Sequence, residues 1–201
     1  STTLYLAQLR RNDLAQAQRE RICGRLADRL AHMEGLIESM LGFVRDAPPL
    51  RETLYLQDVL QEFEATVQPG LQLAGGTMAV TPVDRSLVLN GDRSALVGAL
   101  ANLAVNAAEA GGDGVHIDVW AGALSHGRLL LRVRDNGPGI AAELRERVFD
   151  PFFTTRATGT GLGLAVVART VNSHGGDIRV GNSPEGGAEF LIELPMMTGS
   201  A

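Results

Sequence analysis

Early in the chain, apolar residues recur at alternating steps of four and three: Ile22, Leu26, Leu30, Met33, Ile37, Met40 and Val44. Such a heptad-like stripe is the seam of a coiled coil or helix bundle. Residues 1–46 read as helical throughout, broken near Asn12-Asp13, a good turn and N-cap pair. Pro48-Pro49 then ends the helical stretch as a linker would. A long helix lying on a globular core is the other reading of the stripe. Two helices alone bury too little surface, so the hairpin is expected to pair with a second copy and form a homodimer.

From Thr53 the pattern turns mixed. Leu54 to Leu56 suits a short strand, and Gln57 to Val67 an amphipathic helix stopped by Pro69-Gly70. Thr77 to Val83 and Ser86 to Leu89 read as strands split by a turn. Asp92 caps a helix from Arg93 to about Ala110, which Gly111-Gly112 ends. Val115 to Ala121 and Arg128 to Arg134 alternate as strands around the turn Ser125-His126-Gly127. A last helix is expected from about Gly161 to Ser173, stopped by Gly175-Gly176. Ile178 to Val180 and Glu189 to Leu194 finish the sheet as a hairpin around Glu185-Gly186-Gly187. Strands that pair largely as hairpins, interleaved with helices, predict an α+β protein. The expectation is a mixed-sheet α/β sandwich over 51–201, preceded by a helical hairpin over 1–50.

Composition narrows the function classes. With 45% hydrophobic and 20% charged residues among 201, the chain reads as an ordinary globular protein. A net charge of -5 argues against a nucleic-acid surface, which wants clustered Lys and Arg. No apolar run approaches the roughly 20 residues needed to cross a bilayer, so no membrane contact is expected within the chain. Ser1 to Arg11 lack the basic start and apolar block of a signal peptide. The lone Cys23 has no internal partner, which suits a reducing, cytoplasmic location.

Three segments carry candidate chemistry. Asn102 and Asn106, four apart, share one helix face. Either they are packing amides bonded to backbone, or their oxygens serve a hard cation such as Mg²⁺. Asp135 ends a strand and enters Asn136-Gly137-Pro138-Gly139. A plain turn closing a hairpin is one reading; a carboxylate accepting from an exocyclic amine, beside bare backbone, is the other. Val148-Phe149-Asp150-Pro151-Phe152-Phe153 follows instead of a partner strand, which favours the second. Gly159-Thr160-Gly161-Leu162-Gly163-Leu164 opens a helix whose free N–H groups and dipole suit phosphate. It is neither a P-loop nor a dinucleotide fingerprint.

The order Asn-x3-Asn, Asp-Asn-Gly-Pro-Gly, Phe-Asp-Pro-Phe-Phe-Thr-Thr, Gly-Thr-Gly-Leu-Gly-Leu resembles the nucleotide-binding boxes of bacterial two-component sensor histidine kinases, of the Bergerat-fold ATPase superfamily. The resemblance covers residues 53–195, and the lid wording is most similar to the nitrogen- and flagellar-regulation subgroup. Residues 1–46 resemble, by pattern and position, the dimerisation and histidine-phosphotransfer hairpin of the same kinases. The resemblance implies ATP and Mg²⁺, with Asn106 as metal ligand and Asn102 assisting it or bonding phosphate. It also implies Asp135 on the adenine amine, with Gly137, Gly139 and Ile140 beside the nucleotide. Phe149, Phe152 and Phe153 would anchor the lid, and Arg156 would reach the γ-phosphate. Gly159, Thr160, Gly161 and Gly163, with the N–H groups of Leu162 and Leu164, would hold the phosphates. In gyrase-like relatives that hydrolyse ATP, a Glu stands four before the metal asparagine; here it is Asn102, and an amide cannot accept a proton near neutral pH. That favours phosphoryl transfer over hydrolysis.

Two features depart from the family. Its phosphoacceptor motif, His-Glu/Asp-x-Arg-Thr/Asn-Pro, is absent; the histidines are His32, His116, His126 and His174. His32 lies off the apolar stripe and reads as a surface residue, so no catalytic residue is assigned in this chain. Ser1-Thr2-Thr3-Leu4-Tyr5 resembles the stretch just after that motif, so the chain is expected to begin past it and not to label itself. Ala188 stands where many relatives carry a Thr near the adenine. The implied activity is transfer of the γ-phosphoryl to a histidine, for relay to the aspartate of a response-regulator partner. Two alternatives are a non-catalytic, nucleotide-gated dimerisation module and a protein-serine kinase of the anti-sigma type.

Overall fold

The computed structural model describes residues 18, 19, 22, 23, 51–156 and 159–197. Those first four residues are helical, with Ile22 buried and Cys23 exposed. The rest of the expected hairpin, the dimer seam, Pro48-Pro49 and His32 lie outside the described residues. Contacts divide the chain between residues 45 and 46, and the second unit is as follows.

It opens with strand β1 (Glu52–Tyr55) and helix α1 (Leu56–Leu73). Leu56, Val59, Leu60, Phe63 and Leu71 are the buried residues of α1, spaced so that one stripe packs inward. The helix does not stop at Val67: Pro69 lies inside it. Proline removes one backbone bond, yet the following turn holds. Leu71 is buried, and the N–H groups of Ala74, Gly75 and Gly76 close on the carbonyls of Gly70, Leu71 and Gln72. Burial of Leu71 outweighs the local break.

β2 (Thr77–Val80) ends short of Val83. After the N–H of Thr81 reaches Val119 O at 2.8 Å, the chain meets Pro82, which has no N–H to give. β3 (Val88–Gly91) is not the sheet neighbour of β2; it pairs antiparallel with β1 in a separate ribbon, Leu54 opposite Leu89. Both leucines are buried in the common core, which draws the ribbon onto it. In the turn before β3, the backbone N–H of Ser86, 2.7 Å from Asp84 Oδ1, holds that carboxyl below the usual carboxylate range, with the Ser86 hydroxyl assisting.

Helix α2 (Arg93–Gly111) starts at Asp92, whose Oδ1 accepts from Ala95 N–H at 2.9 Å. Strands β4 (His116–Leu124) and β5 (Arg128–Asp135) form the expected hairpin, Val119 opposite Val133. Helix α3 (Gly163–Ser173) and the hairpin of β6 (Asp177–Asn182) with β7 (Ala188–Pro195) complete the unit. The main sheet runs β2-β4-β5-β7-β6, antiparallel except for the parallel pair β2 and β4. Ile117, Val119, Leu129, Leu131, Val133, Phe190, Ile192 and Leu194 of the sheet share one core with Phe63, Leu100, Leu103 and Val167 of the helices. On β5 buried and half-buried residues alternate, and the half-buried arginines carry ion pairs such as Arg134 with Glu189 at 2.9 Å. This is the mixed-sheet α+β sandwich that the hydrophobic pattern predicts. Among the described residues no helix is long and apolar enough to cross a membrane.

Candidate functional site

The site is organised along the second half of α2. Leu96, Leu100, Leu103 and Ala107 bury one stripe of this helix, which leaves Asn102 and Asn106 half-exposed beside it. Neither amide makes a side-chain hydrogen bond among the described residues, unlike an amide that packs by bonding to backbone. Instead they meet the start of α3. A Cβ on Gly163 would stand 3.4 Å from Asn106 Nδ2 and 3.8 Å from Asn102 Oδ1. A half turn about the terminal torsion of Asn106 exchanges its nitrogen and oxygen ends.

Helix α3 begins without a side-chain cap. The N–H groups of Gly163 and Leu164 find no acceptor among the described residues, while Leu162 N–H uses Thr160 Oγ1 at 3.2 Å. Uncapped first-turn N–H groups and the dipole favour an anion there. Leu162 itself is buried and fixes the entry of the helix. Gly161 takes φ 67°, and a Cβ would collide with the backbone of Phe152 and Phe153. Only glycine fits that crossing, which is closed by Phe152 N–H to Gly161 O at 2.9 Å.

Asp135 closes β5 at the other end of α2 and is 9% exposed. Its Oδ1 accepts from the N–H of Gly137 at 2.8 Å and of Ala188 at 3.0 Å. Oδ2 has no partner among the described residues and remains an acceptor. A Cβ on Gly137 would lie 3.5 Å from the Cα of Gly111, the last residue of α2. Asn136 does different work, holding His116 N–H at 2.7 Å through Oδ1. The plain hairpin turn is thus excluded, because the loop leads away from β5 and packs on α2.

Further along that loop, Gly139 and Ile140 meet β6. Ile140 N–H donates to Asn182 Oδ1 at 2.8 Å, and Gly139 lies against the same amide. Phe149 packs on the core, and Phe153 lies under the Arg147 guanidinium at 4.5 Å. Phe152 differs from the expected anchor: the residue is 63% exposed and its backbone has φ 67°. The backbone of Phe152 is what Gly161 fixes, and the ring projects. Gly159 sits against Thr154, within the same turn. Arg156 donates from Nη2 to Asn106 O at 2.9 Å and from Nη1 to Glu109.

Asn102, Asn106 and Gly163 therefore come together beside the second half of α2, and Asp135 and Gly137 meet the last residue of the same helix. Two contributors have no sequence signal of their own: Asn182 and Glu109. His174, which reads in the sequence as a helix terminus, is 2% exposed and uses both ring nitrogens. Its Nδ1–H donates to Thr170 O at 2.7 Å, and Nε2 accepts from Asp92 N–H at 2.9 Å, which fixes the neutral tautomer. It ties the end of α3 to the start of α2. His116 bonds Thr77 Oγ1 at 2.8 Å, and His126 lies in the β4–β5 turn.

Residues 91–198 match the family model described as histidine kinase-, DNA gyrase B-, and HSP90-like ATPase. The signal transduction histidine-protein kinase AtoS of Escherichia coli is 35% identical over 166 residues, 80% of this chain and 26% of its own length. The solved catalytic domain of histidine kinase ThkA superposes with a TM-score of 0.66 at 28% identity, over 73% of this chain and 95% of that one. Full-length ShkA, solved in complex with AMPPNP, superposes with a TM-score of 0.75 at 29% identity, over 100% of this chain and 43% of that one. The chain thus spans about a quarter of AtoS and under half of ShkA. This chain belongs to the histidine kinase-, DNA gyrase B- and HSP90-like ATPase family, and its matched region is the ATPase catalytic domain of a sensor histidine kinase.

Proposed function

We propose that the cleft along α2 binds Mg²⁺-ATP and that the longer protein passes its γ-phosphoryl to a histidine outside this chain. One observation carries the reading: α2 brings two amides, unpartnered among the described residues, beside the uncapped start of α3, and its far end meets the loop that holds Asp135. Asp135 Oδ2 accepts from the exocyclic amine of adenine, while Gly137, Gly139 and Ile140 line the base. The N–H groups of Gly163 and Leu164 hold phosphate oxygens, with Gly159, Thr160, Gly161 and Leu162 shaping the approach.

The donor set suits magnesium. A hard cation takes oxygen ligands and keeps waters and phosphate oxygens, so one or two amide oxygens from Asn106 and Asn102 suffice. The ion supplies neutralisation of charge on the phosphates. Asn102 gives water no base, so the γ-phosphoryl waits for a positioned nucleophile. As the P–O bond to ADP breaks, a P–N bond to imidazole forms; positioning and charge neutralisation do most of the rest. Relay to a response-regulator aspartate, and dimerisation through the hairpin of residues 1–50, complete the proposed cycle in the cytoplasm. The kinase names of the relatives and the AMPPNP bound by ShkA support this reading.

Titration of ADP with Mg²⁺ into wild type and Asp135→Asn tests it. Binding by wild type and weakened binding by the variant are expected; equal affinity sinks the base pocket.

A further inference from the structure

We propose that Glu109 competes with a bound triphosphate for Arg156, and so sets how strongly this chain prefers ATP to ADP. The inference rests on the reading of the cleft given under Proposed function. Asn102, Asn106 and Glu109 follow one another at steps of four and three, so they form one stripe along α2. The first two face Gly163; the third meets Arg156.

Arg156 is presented by a defined turn. Its N–H donates to Thr154 Oγ1 at 3.1 Å, and its carbonyl accepts from Gly159 N–H at 3.3 Å. The guanidinium is bonded through Nη1 to Glu109 and through Nη2 to Asn106 O at 2.9 Å. That places a cation against the backbone of Asn106, whose amide lies beside Gly163 at the start of α3. The position also suits the negative end of α2, since Asn106 O lies near its last turn.

A terminal phosphate brought to that N-terminus changes the balance. Phosphate is a stronger partner for a planar guanidinium than one half-exposed carboxylate, because it offers several charged oxygens. If Arg156 turns to the phosphate, Glu109 is left unpaired, one helical turn beyond Asn106 and on the same stripe. A diphosphate has no γ-phosphate to draw the guanidinium away, so the pair survives. The carboxylate therefore weakens ATP binding selectively. Glu109 and Arg156 side chains are 56% and 33% exposed, so solvent screens the pair and the effect is small, about two- to fivefold in affinity.

The experiment titrates ATP and ADP, each with Mg²⁺, into wild type, Glu109→Gln, Arg156→Ala and the double variant. Glu109→Gln is expected to tighten ATP about two- to fivefold and leave ADP unchanged. In the Arg156→Ala background the same substitution is expected to do nothing. Equal shifts for both nucleotides, no shift, or weaker ATP binding by Glu109→Gln each overturn the proposal. Failure of wild type to bind either nucleotide is a different failure: it removes the cleft reading beneath.

Discussion

A carboxylate with one oxygen held by two backbone N–H groups has little freedom to turn, and Asp135 is such a group. Replacing it by Asn keeps the shape and lets the amide oxygen serve the two N–H groups, but puts an NH2 donor at Oδ2, where the adenine amine is proposed to donate. The expected loss of ADP affinity is roughly tenfold to a hundredfold, the scale of one hydrogen bond to a charged acceptor, measured calorimetrically. His174 answers to a different property. It is buried with both nitrogens paired, so His174→Ala removes the imidazole acceptor of the Asp92 N–H and opens a cavity. A cost of about 2–4 kcal/mol is expected in urea unfolding, with nucleotide affinity per folded molecule nearly unchanged. A large affinity loss without a stability loss would contradict this role.

Among the elements, the crossing of Gly161 over Phe152 joins the aromatic segment to the start of α3. Gly161→Ala adds a Cβ where backbone already stands and φ is 67°, at a cost of about 1–3 kcal/mol for the strained conformation. The phosphate-facing turn should shift, so ATP affinity should fall alongside the thermal midpoint. Retention of both would show that the crossing is not needed. What the chain reveals about its elements follows the range of the forces involved. Asp92 as a cap, the end of α2 at Gly111 and the β4–β5 hairpin depend on neighbours in sequence, and all are readable there. Asn102 and Asn106 are readable as a pair because spacing of four sets a helix face. Pro69 within α1 and the pairing of β3 with β1 depend on burial against distant residues, which local patterns do not carry. The same holds for His174, whose partner Asp92 is 82 residues away. The outward ring of Phe152 depends on a backbone angle that no residue type announces.

For the whole molecule, a ligand that binds only the folded cleft must stabilise the fold. At about 100 times its Kd, ATP with Mg²⁺ should add about 2.7 kcal/mol, read as a rise in thermal midpoint that grows with concentration. Chelating the divalent ion should reduce that rise more for ATP than for ADP, since the longer phosphate chain leans more on the proposed amide-held cation. No shift with either nucleotide would refute the site. Incubation with γ-labelled ATP should leave this chain unlabelled, because no phosphoacceptor motif is present; an acid-labile, base-stable label on it would overturn that expectation. The supports of Asp135 have one more implication. Both donors to its Oδ1 are main-chain groups, and Gly187 lies so close to the Asp135 carbonyl that no side chain fits there. Short of a proline at Gly137 or Ala188, mutation elsewhere cannot delete those donors, as it could a supporting side chain. If Asp135 holds the base as proposed, a drug anchored on this acid would therefore leave few routes to resistance that spare the nucleotide.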